Sequence, residues 1–211
     1  MPRYDYDNSY NFKTMTLTGQ GQVNAVPDMA VIRLGVETAG DDLSAIQTEN
    51  AQLSQAVIDF LSSSGISDVK TYRYSVDRRY EYENGNQIDR GFTVSNIFEI
   101  RLEEMERVGA VIDGAIANGA NTVDFISFEI SDVQSYYQQA LNQAVINAMD
   151  KADSLAVLLG LTAAPVPVKI IENSAPVMPF SQRVLSERTF TTPIEPGNLT
   201  IEAYVSVDFS F

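Results

Sequence analysis

The chain has 211 residues, of which 14 are basic and 28 acidic, so its formal net charge is −14. A surface this acidic argues against nucleic acid and anionic membranes as partners, because both are bound by basic groups that displace counterions. The sequence contains no His and no Cys, which excludes disulfides, Ser-His and Cys-His nucleophiles and His-ligated metal sites. We expect no tightly bound cofactor or transition metal.

The N-terminal residues 1–14 are polar and rich in Tyr, which predicts a flexible tail. Asp5, Asp7 and Ser9 imitate the start of a calcium loop, but Tyr10 stands where that loop needs Gly. The segment has no apolar core, so it is not a signal peptide. No apolar run approaches the roughly 18 residues of a transmembrane helix. We therefore expect a cytoplasmic protein, or an exported one if a leader has been removed.

Two strands are predicted next, over residues 15–26 and 29–38, with a turn at Pro27-Asp28 between them. We expect these strands to form a hairpin. The first contains Gly19 and Gly21, a G-x-G pattern that no helix follows. Glycines inside a strand more often mark a bulge or a close approach of two backbones than a phosphate site.

Two helices are predicted over residues 43–64 and 103–118, each with acidic residues at its start and Gly at its end. Between them the pattern predicts a long hairpin over 68–82 and 87–102. The strand that follows the second helix, 122–130, carries apolar residues on both faces, so we expect it to be central in its sheet.

The long hairpin has a stripe of aromatic residues on its first strand. A two-residue Asn84-Gly85 turn would pair this stripe with polar residues of the return strand. We therefore expect an odd-numbered loop or a bulge there, despite the strong Asn-Gly signal. The stripe could bind bases or sugars, but the net charge favours a core edge or a subunit contact. Its members are Tyr72, Tyr74, Val76, Tyr80 and Tyr82.

A helix over residues 134–160 is predicted to be the longest element, and to be unbroken. Alanines recur at every fourth position from Ala140 to Ala156, so another backbone can approach closely. Asp132 is a candidate cap, and Gly160 can end the helix in a left-handed conformation. The larger residues Leu155 and Leu159 are expected on the same buried face. We interpret this helix as a packing element without chemistry.

The last part of the chain is predicted as strands over 166–171 and 199–211, separated by a long irregular segment. Within it, residues 176–192 form an apolar, Pro-rich loop or arm that we expect to dock on a neighbouring subunit. Packing on its own domain and disorder are the alternatives. The apolar residues proposed for the interface are Met178, Phe180, Val184, Leu185 and Phe190.

The predicted order is β-β-α-β-β-α-β-α-β-β, and several groups of residues occur in a recognisable sequence along it. They are Gly19-Gln20-Gly21, Pro27-Asp28, Asn50, Gly65-Ile66, Gly91-Phe92, Gly119-Ala120, Ser131-Asp132, Lys151-Ala152 and Pro193-Ile194-Glu195-Pro196-Gly197. This set resembles the SIMPL domain family (DUF541), and the resemblance covers residues 15–211. The resemblance implies an α+β fold and a tendency to form oligomers. From the order and length of the elements we expect long antiparallel strands, with three helices packed on one side.

The family includes oxidative-stress-related proteins and exported antigens of bacteria, and the resemblance supplies no accepted catalytic motif. We therefore expect a non-enzymatic, self-associating protein with a role linked to stress or the cell envelope. One alternative is a docking module for a signalling partner, which rests on analogy. The other is a small-molecule binder or enzyme that uses carboxylates and tyrosines. The acidic clusters at residues 41–42 and 103–106 are already explained by the predicted helix N-termini, which argues against an enzyme.

Overall fold

The computed structural model describes residues 13–173 and 197–211. The described chain contains seven strands and three α-helices in two antiparallel sheets, which confirms the α+β class. The helices are divided between the two sheets. In chain order the elements are β1 Thr14–Ala25, β2 Met29–Gly40, α1 Leu43–Ser63, β3 Val69–Glu83, β4 Asn86–Leu102, α2 Val108–Ala117, β5 Thr122–Glu129, α3 Val133–Leu159, β6 Val166–Glu172 and β7 Leu199–Ser210.

The chain folds into two compact units. The described part of the first comprises residues 13–25, 132–173 and 198–211, and it holds a sheet of order β1-β7-β6 with α3 packed on it. The described part of the second comprises residues 26–131 and residue 197, and it holds a sheet of order β3-β4-β2-β5 with α1 and α2.

Helix α3 is unbroken and is the longest helix of the described chain, as predicted. The Asp132 side chain accepts a hydrogen bond from the Ser135 backbone N–H at 3.0 Å, and Gly160 ends the helix with φ 64°. The alanine stripe from Ala140 to Ala156 is buried. Leu159, which we expected on the same face, is exposed, because it lies one turn beyond the last buried alanine.

The two glycines of β1 permit this helix to lie directly on the strand. A Cβ atom at Gly19 would fall 1.9 Å from the Ala144 carbonyl oxygen, and one at Gly21 would fall 1.9 Å from that of Ala140. Both distances are far inside van der Waals contact, so no side chain fits at either position. The G-x-G pattern therefore marks a close backbone approach, which is one of the two structural roles expected from the sequence.

Side chains of α3 also hydrogen-bond to backbone groups of β1, which is an edge strand of its sheet. Lys151 Nζ donates to the Thr18 carbonyl at 2.7 Å. The backbone N–H of Gln20 donates to Asn147 Oδ1 at 3.2 Å. Gln22 N–H makes the same type of bond to Gln143 Oε1. Unpaired backbone groups at a sheet edge can pair with a strand of another chain. These bonds occupy such groups of β1 and so protect it from that pairing.

The expected hairpin of β1 and β2 is wrong. β1 pairs along its full length with β7, from Thr14 opposite Ser210 to Ala25 opposite Leu199, whereas β2 pairs with β4 and β5. The turn between the two strands is real, but it leads from one sheet to the other. Close packing on α3 requires β1 to lie in the sheet that carries this helix, which separates it from β2.

The turn is held by Asp28, within the second unit. Its backbone N–H donates to the Glu129 carbonyl, and its carboxylate accepts hydrogen bonds from the Ser131 hydroxyl at 2.6 Å and the Ser131 backbone N–H at 2.7 Å. These bonds stabilise the charged form and hold the pKa of Asp28 below its ordinary value of 3.8, the hydroxyl making the larger contribution.

The core of the second unit lies between its sheet and the helices α1 and α2. Asp42 caps α1 as expected, its Oδ1 accepting from the backbone N–H groups of Ser44 and Ala45. Asn50 of α1 is buried, and its Nδ2 donates to the Val36 and Val94 carbonyls on two neighbouring strands. This side chain therefore ties α1 to the middle of the sheet.

The prediction that β5 is central is wrong, because it forms an edge of the four-stranded sheet. Its core face carries Ile126 and Phe128, which are buried. On its other face Phe125 lies beneath the Arg33 guanidinium, whose Cζ is 5.0 Å from the ring centre. An arginine can cover apolar surface while its charged group stays hydrated, so apolar residues on both faces do not require a second layer here.

Candidate functional site

The hairpin of β3 and β4 extends past the other strands of its sheet. Pairing between β2 and β4 ends at Gly40 opposite Phe92, so residues 86–91 of β4 pair only with β3. We call residues 77–91 the tyrosine ribbon. Six residues of strand beyond that point correspond to a length of about 20 Å. A two-stranded ribbon of this kind exposes both of its faces.

The end of the ribbon is a two-residue turn, so the expected odd-numbered loop is wrong. Asn84 and Gly85 have φ values of 50° and 82°, and Tyr82 pairs with Gln87. The expectation assumed that burial of an apolar face sets the register. Because both faces of the ribbon are exposed, the conformational preference of Asn-Gly sets it instead.

Two register shifts connect the ribbon to the sheet. Between the pairs Arg78–Phe92 and Tyr80–Asp89, β4 has one residue more than β3, and Gly91 in this segment has φ 78°. The extra residue brings the apolar part of β4 onto the core face. The bulge expected from the sequence therefore exists, but at the base of the ribbon.

The second shift lies between Thr71 and Arg73 and places Tyr72 on the opposite face from the other tyrosines. The Tyr72 ring stacks against Arg33, whose Cζ is 3.7 Å from the ring centre. Tyr74, Tyr80 and Tyr82 remain on one face. The sequence stripe is thus broken by a bulge that its alternation did not reveal, and Tyr72 belongs to a different surface.

The three remaining tyrosines are accessible to a partner. Tyr80 and Tyr82 are 48% and 72% exposed, and Tyr74 is 54% exposed. Large aromatic rings give much contact area at a small cost in side-chain entropy, which is why tyrosines are enriched in protein interfaces.

Ion pairs connect side chains of the two strands within the ribbon. Arg90 bonds to the carboxylates of Glu81 and Glu83 at 2.8 and 2.7 Å, and Arg78 bonds to Asp89 at 2.9 Å. Exposed pairs of this kind contribute at most about 1 kcal/mol each. They link the side chains of the two strands beside the exposed tyrosines.

Sequence reasoning missed a second polar cluster, on the face of the four-stranded sheet that points away from its helices. Arg33 Nη2 lies 2.8 Å from Glu99 Oε2, and both side chains are mostly buried. The Ser127 hydroxyl lies nearby on β5 and is also buried. The available signal was Arg33 itself, the one charged residue in the otherwise apolar run over residues 29–36.

The proposed interface residues Met178, Phe180, Val184, Leu185 and Phe190 lie outside the described residues, so their docking stays a prediction. In residues 13–173 and 197–211 no three carboxylates converge in a way that could hold a metal ion. None of the helices in the described chain combines the length and apolar character needed to cross a bilayer.

Three bacterial proteins show what the chain is similar to. It is 27% identical to the 26 kDa periplasmic immunogenic protein of Brucella melitensis over 209 residues, which cover 92% of this chain and 83% of that protein. It is 26% identical to the uncharacterized protein YggE of Edwardsiella ictaluri over 152 residues, 71% of this chain and 64% of the relative. For YggE of Escherichia coli K12 the identity is 26% over 141 residues, 66% and 57% of the two chains.

The chain thus spans less than two thirds of the length of the two YggE proteins. The family comparison covers more of it. Residues 15–209 match the family model SIMPL, described as a protein of unknown function (DUF541). The match includes all seven strands and three helices of the described chain except the outermost residues of β1 and β7. This chain therefore belongs to the SIMPL family.

Proposed function

We propose that this protein is a non-enzymatic, self-associating protein of the bacterial envelope, in which the tyrosine ribbon contacts a second copy of the chain. The observation that carries the proposal is the exposed face of Tyr80 and Tyr82 on a strand pair that no other strand of its sheet covers. A monomer would leave these rings in water.

Charge favours a second copy at this place. The ribbon contains three arginines and four carboxylates over residues 77–91, so its net charge is −1, whereas the whole chain carries −14. Two copies that approach through their ribbons meet with less repulsion than they would through surfaces as acidic as the chain as a whole.

The envelope location rests on similarity. The Brucella relative is named as a periplasmic protein, and its similarity extends over 92% of this chain. This supports the exported alternative over the cytoplasmic expectation. Fractionation of the source cells, with detection of the native chain in the periplasmic extract, tests it. Recovery only with cytoplasmic markers would contradict this part of the proposal.

Light scattering coupled to size-exclusion chromatography tests the self-association. We expect the wild type to have a mass above the 23.2 kDa of one chain at micromolar concentration. The double variant Tyr80→Ser with Tyr82→Ser should bind its partner at least tenfold more weakly, which corresponds to about 1.4 kcal/mol. It should keep the thermal stability of the fold, because both side chains are exposed.

The matched control is Asp77→Ser with Arg79→Ser. These two residues alternate with the tyrosines along the same strand, so they lie on the opposite face of the ribbon. Because one acid and one base are removed, the net charge is unchanged. We expect the control to keep the wild-type mass. A monomeric wild type, or a tyrosine variant that associates as strongly as the wild type, would show that the proposed contact is wrong.

A further inference from the structure

A depression of about 190 Å³ lies on the face of the four-stranded sheet that points away from α1 and α2. Its floor is Val31 of β2, which is buried. Val31 pairs with Ser127 of β5 on one side and with Arg101 of β4 on the other. Neighbouring strands are about 4.8 Å apart, so the backbones of Ser127 and Arg101 are about 10 Å apart across this floor.

The Ser127 side chain lines the depression with a hydroxyl that has no hydrogen-bond partner among the described residues. Ser127 is only 2% exposed. A buried hydroxyl without a partner is unfavourable, and native proteins satisfy nearly all such groups. A hydroxyl can both donate and accept a hydrogen bond, so a polar group of a ligand would remove this defect whether it carries a donor or an acceptor.

Charged groups with spare bonding capacity lie on the two sides of Val31. Arg33 uses its guanidinium on Glu99 at 2.8 Å, so that pair is complete. Arg101 reaches the same carboxylate only at 3.8 Å, beyond hydrogen-bonding distance, and its side chain is about half exposed. On the other side, the Glu129 carboxylate has no bonded partner in the described chain.

We propose that this depression binds a free α-amino acid. Arg101 would bind the carboxylate of the amino acid, Glu129 its ammonium group, and the Ser127 hydroxyl one of these two groups, while the side chain of the amino acid would lie over Val31 and beside the Phe125 ring. The lining holds two arginines and two glutamates, so it matches a ligand that carries both charges.

Size and overall charge select this ligand class over others. Pockets for drug-sized ligands measure about 300–1,000 Å³, so a depression of about 190 Å³ fits a smaller molecule. A simple anion would be repelled by a chain of net charge −14 and would leave Glu129 without a partner. A simple cation would leave Arg101 without one.

The test uses isothermal titration calorimetry of the full chain with L-leucine, N-acetyl-L-leucine and L-leucinamide at concentrations on the order of 10 mM. We expect free leucine to bind and both blocked forms to bind at least tenfold more weakly, since each lacks one of the two charges. The variants Arg101→Gln, Glu129→Gln and Ser127→Ala should each weaken leucine binding, the first two at least tenfold.

Arg78→Gln on the tyrosine ribbon is the matched control for the loss of an arginine, and it should bind leucine as the wild type does. Melting temperatures measured on all variants distinguish a lost contact from a lost fold, and Ser127→Ala removes no charge, so it tests the site if a charge variant unfolds. Absence of binding by leucine and by the other common amino acids would overturn the proposal. Equal binding of leucine and N-acetyl-leucine would do the same.

Discussion

At the scale of single residues, the absence of a side chain is as informative as its presence. Gly19 and Gly21 lie inside a strand, where glycine is normally unfavourable, and the sequence alone allowed either a bulge or a close approach. Which of these two roles the glycines have depends on Ala140 and Ala144, which lie more than a hundred positions away in the chain. The alanine stripe and the glycines were each predictable as packing features, but no local pattern showed that they contact each other.

Gly19→Ala should lower the free energy of unfolding by about 3 kcal/mol, since the added Cβ atom would overlap the Ala144 carbonyl and the helix would have to move. Urea denaturation measures the change. Gly160→Ala is the matched control, because a Cβ atom there meets nothing within 4 Å and only the positive φ of 64° is unfavourable. That control should cost about 1 kcal/mol. Equal losses would show that β1 and α3 are not in close contact.

Asp28 should make stability depend on pH. Its folded-state pKa is held below the ordinary value of 3.8 by the Ser131 hydroxyl and backbone N–H. The unfolded chain therefore takes up the proton first as the pH falls, and the stabilisation is lost as the pH passes down through the folded-state pKa. Asp28→Ala should cost at most about 1 kcal/mol near neutral pH, because Asp28 is exposed and solvent screens its charge. Its deficit should shrink below about pH 4. A deficit that is constant across this range would contradict the assignment.

At the scale of elements, the sequence predicted those features that depend on neighbouring residues. It did not predict those that depend on residues far apart in the chain. Apolar periodicity and caps such as Asp42 and Gly160 lie within or next to the helix they define, so α1 and α3 were predicted closely. The second helix was predicted to begin at residue 103, but α2 begins at Val108, after a short 3-10 helix over Met105–Arg107, and has no side-chain cap. Strand pairing depends on residues far apart in the chain, and the partners of β1 and the edge position of β5 were missed. In the ribbon, the local Asn84-Gly85 signal was correct, and the argument from burial that overrode it was not.

The ribbon should therefore respond to changes in its turn without affecting the rest of its sheet. Gly85→Val places a β-branched residue at φ 82°, which costs on the order of 1–2 kcal/mol in the ribbon alone. Hydrogen exchange should accelerate at the backbone amides of residues 79–90. It should stay slow in the buried part of β4, near Val94 and Ile100. Faster exchange at both places would mean that the ribbon and the core unfold together.

At the scale of the whole molecule, the chain forms two sheets, and only one of them is built from a continuous stretch of sequence. The first unit takes β1 from the N-terminal part and α3, β6 and β7 from the C-terminal part, and the complete second sheet lies between them in the chain. The order of elements was predicted correctly from the sequence. This order did not show whether the strands form one sheet or two, because it is compatible with either arrangement when long-range pairing is unknown. The polar cluster of Arg33 and Ser127 was missed for the same reason, since three strands must be aligned before it exists.

The net charge of −14 gives a prediction for the assembled protein. If two copies associate through the ribbon, the rest of their acidic surfaces still repel each other over distances comparable to the Debye length, about 10 Å at 0.1 M salt. Added salt screens this repulsion, while the burial of tyrosine rings is little affected. The dissociation constant should therefore fall several-fold between about 0.02 and 0.3 M NaCl, as measured by sedimentation equilibrium. A dissociation constant that rises with salt would mean that ion pairs between the copies dominate, and that the tyrosine face is not the main contact.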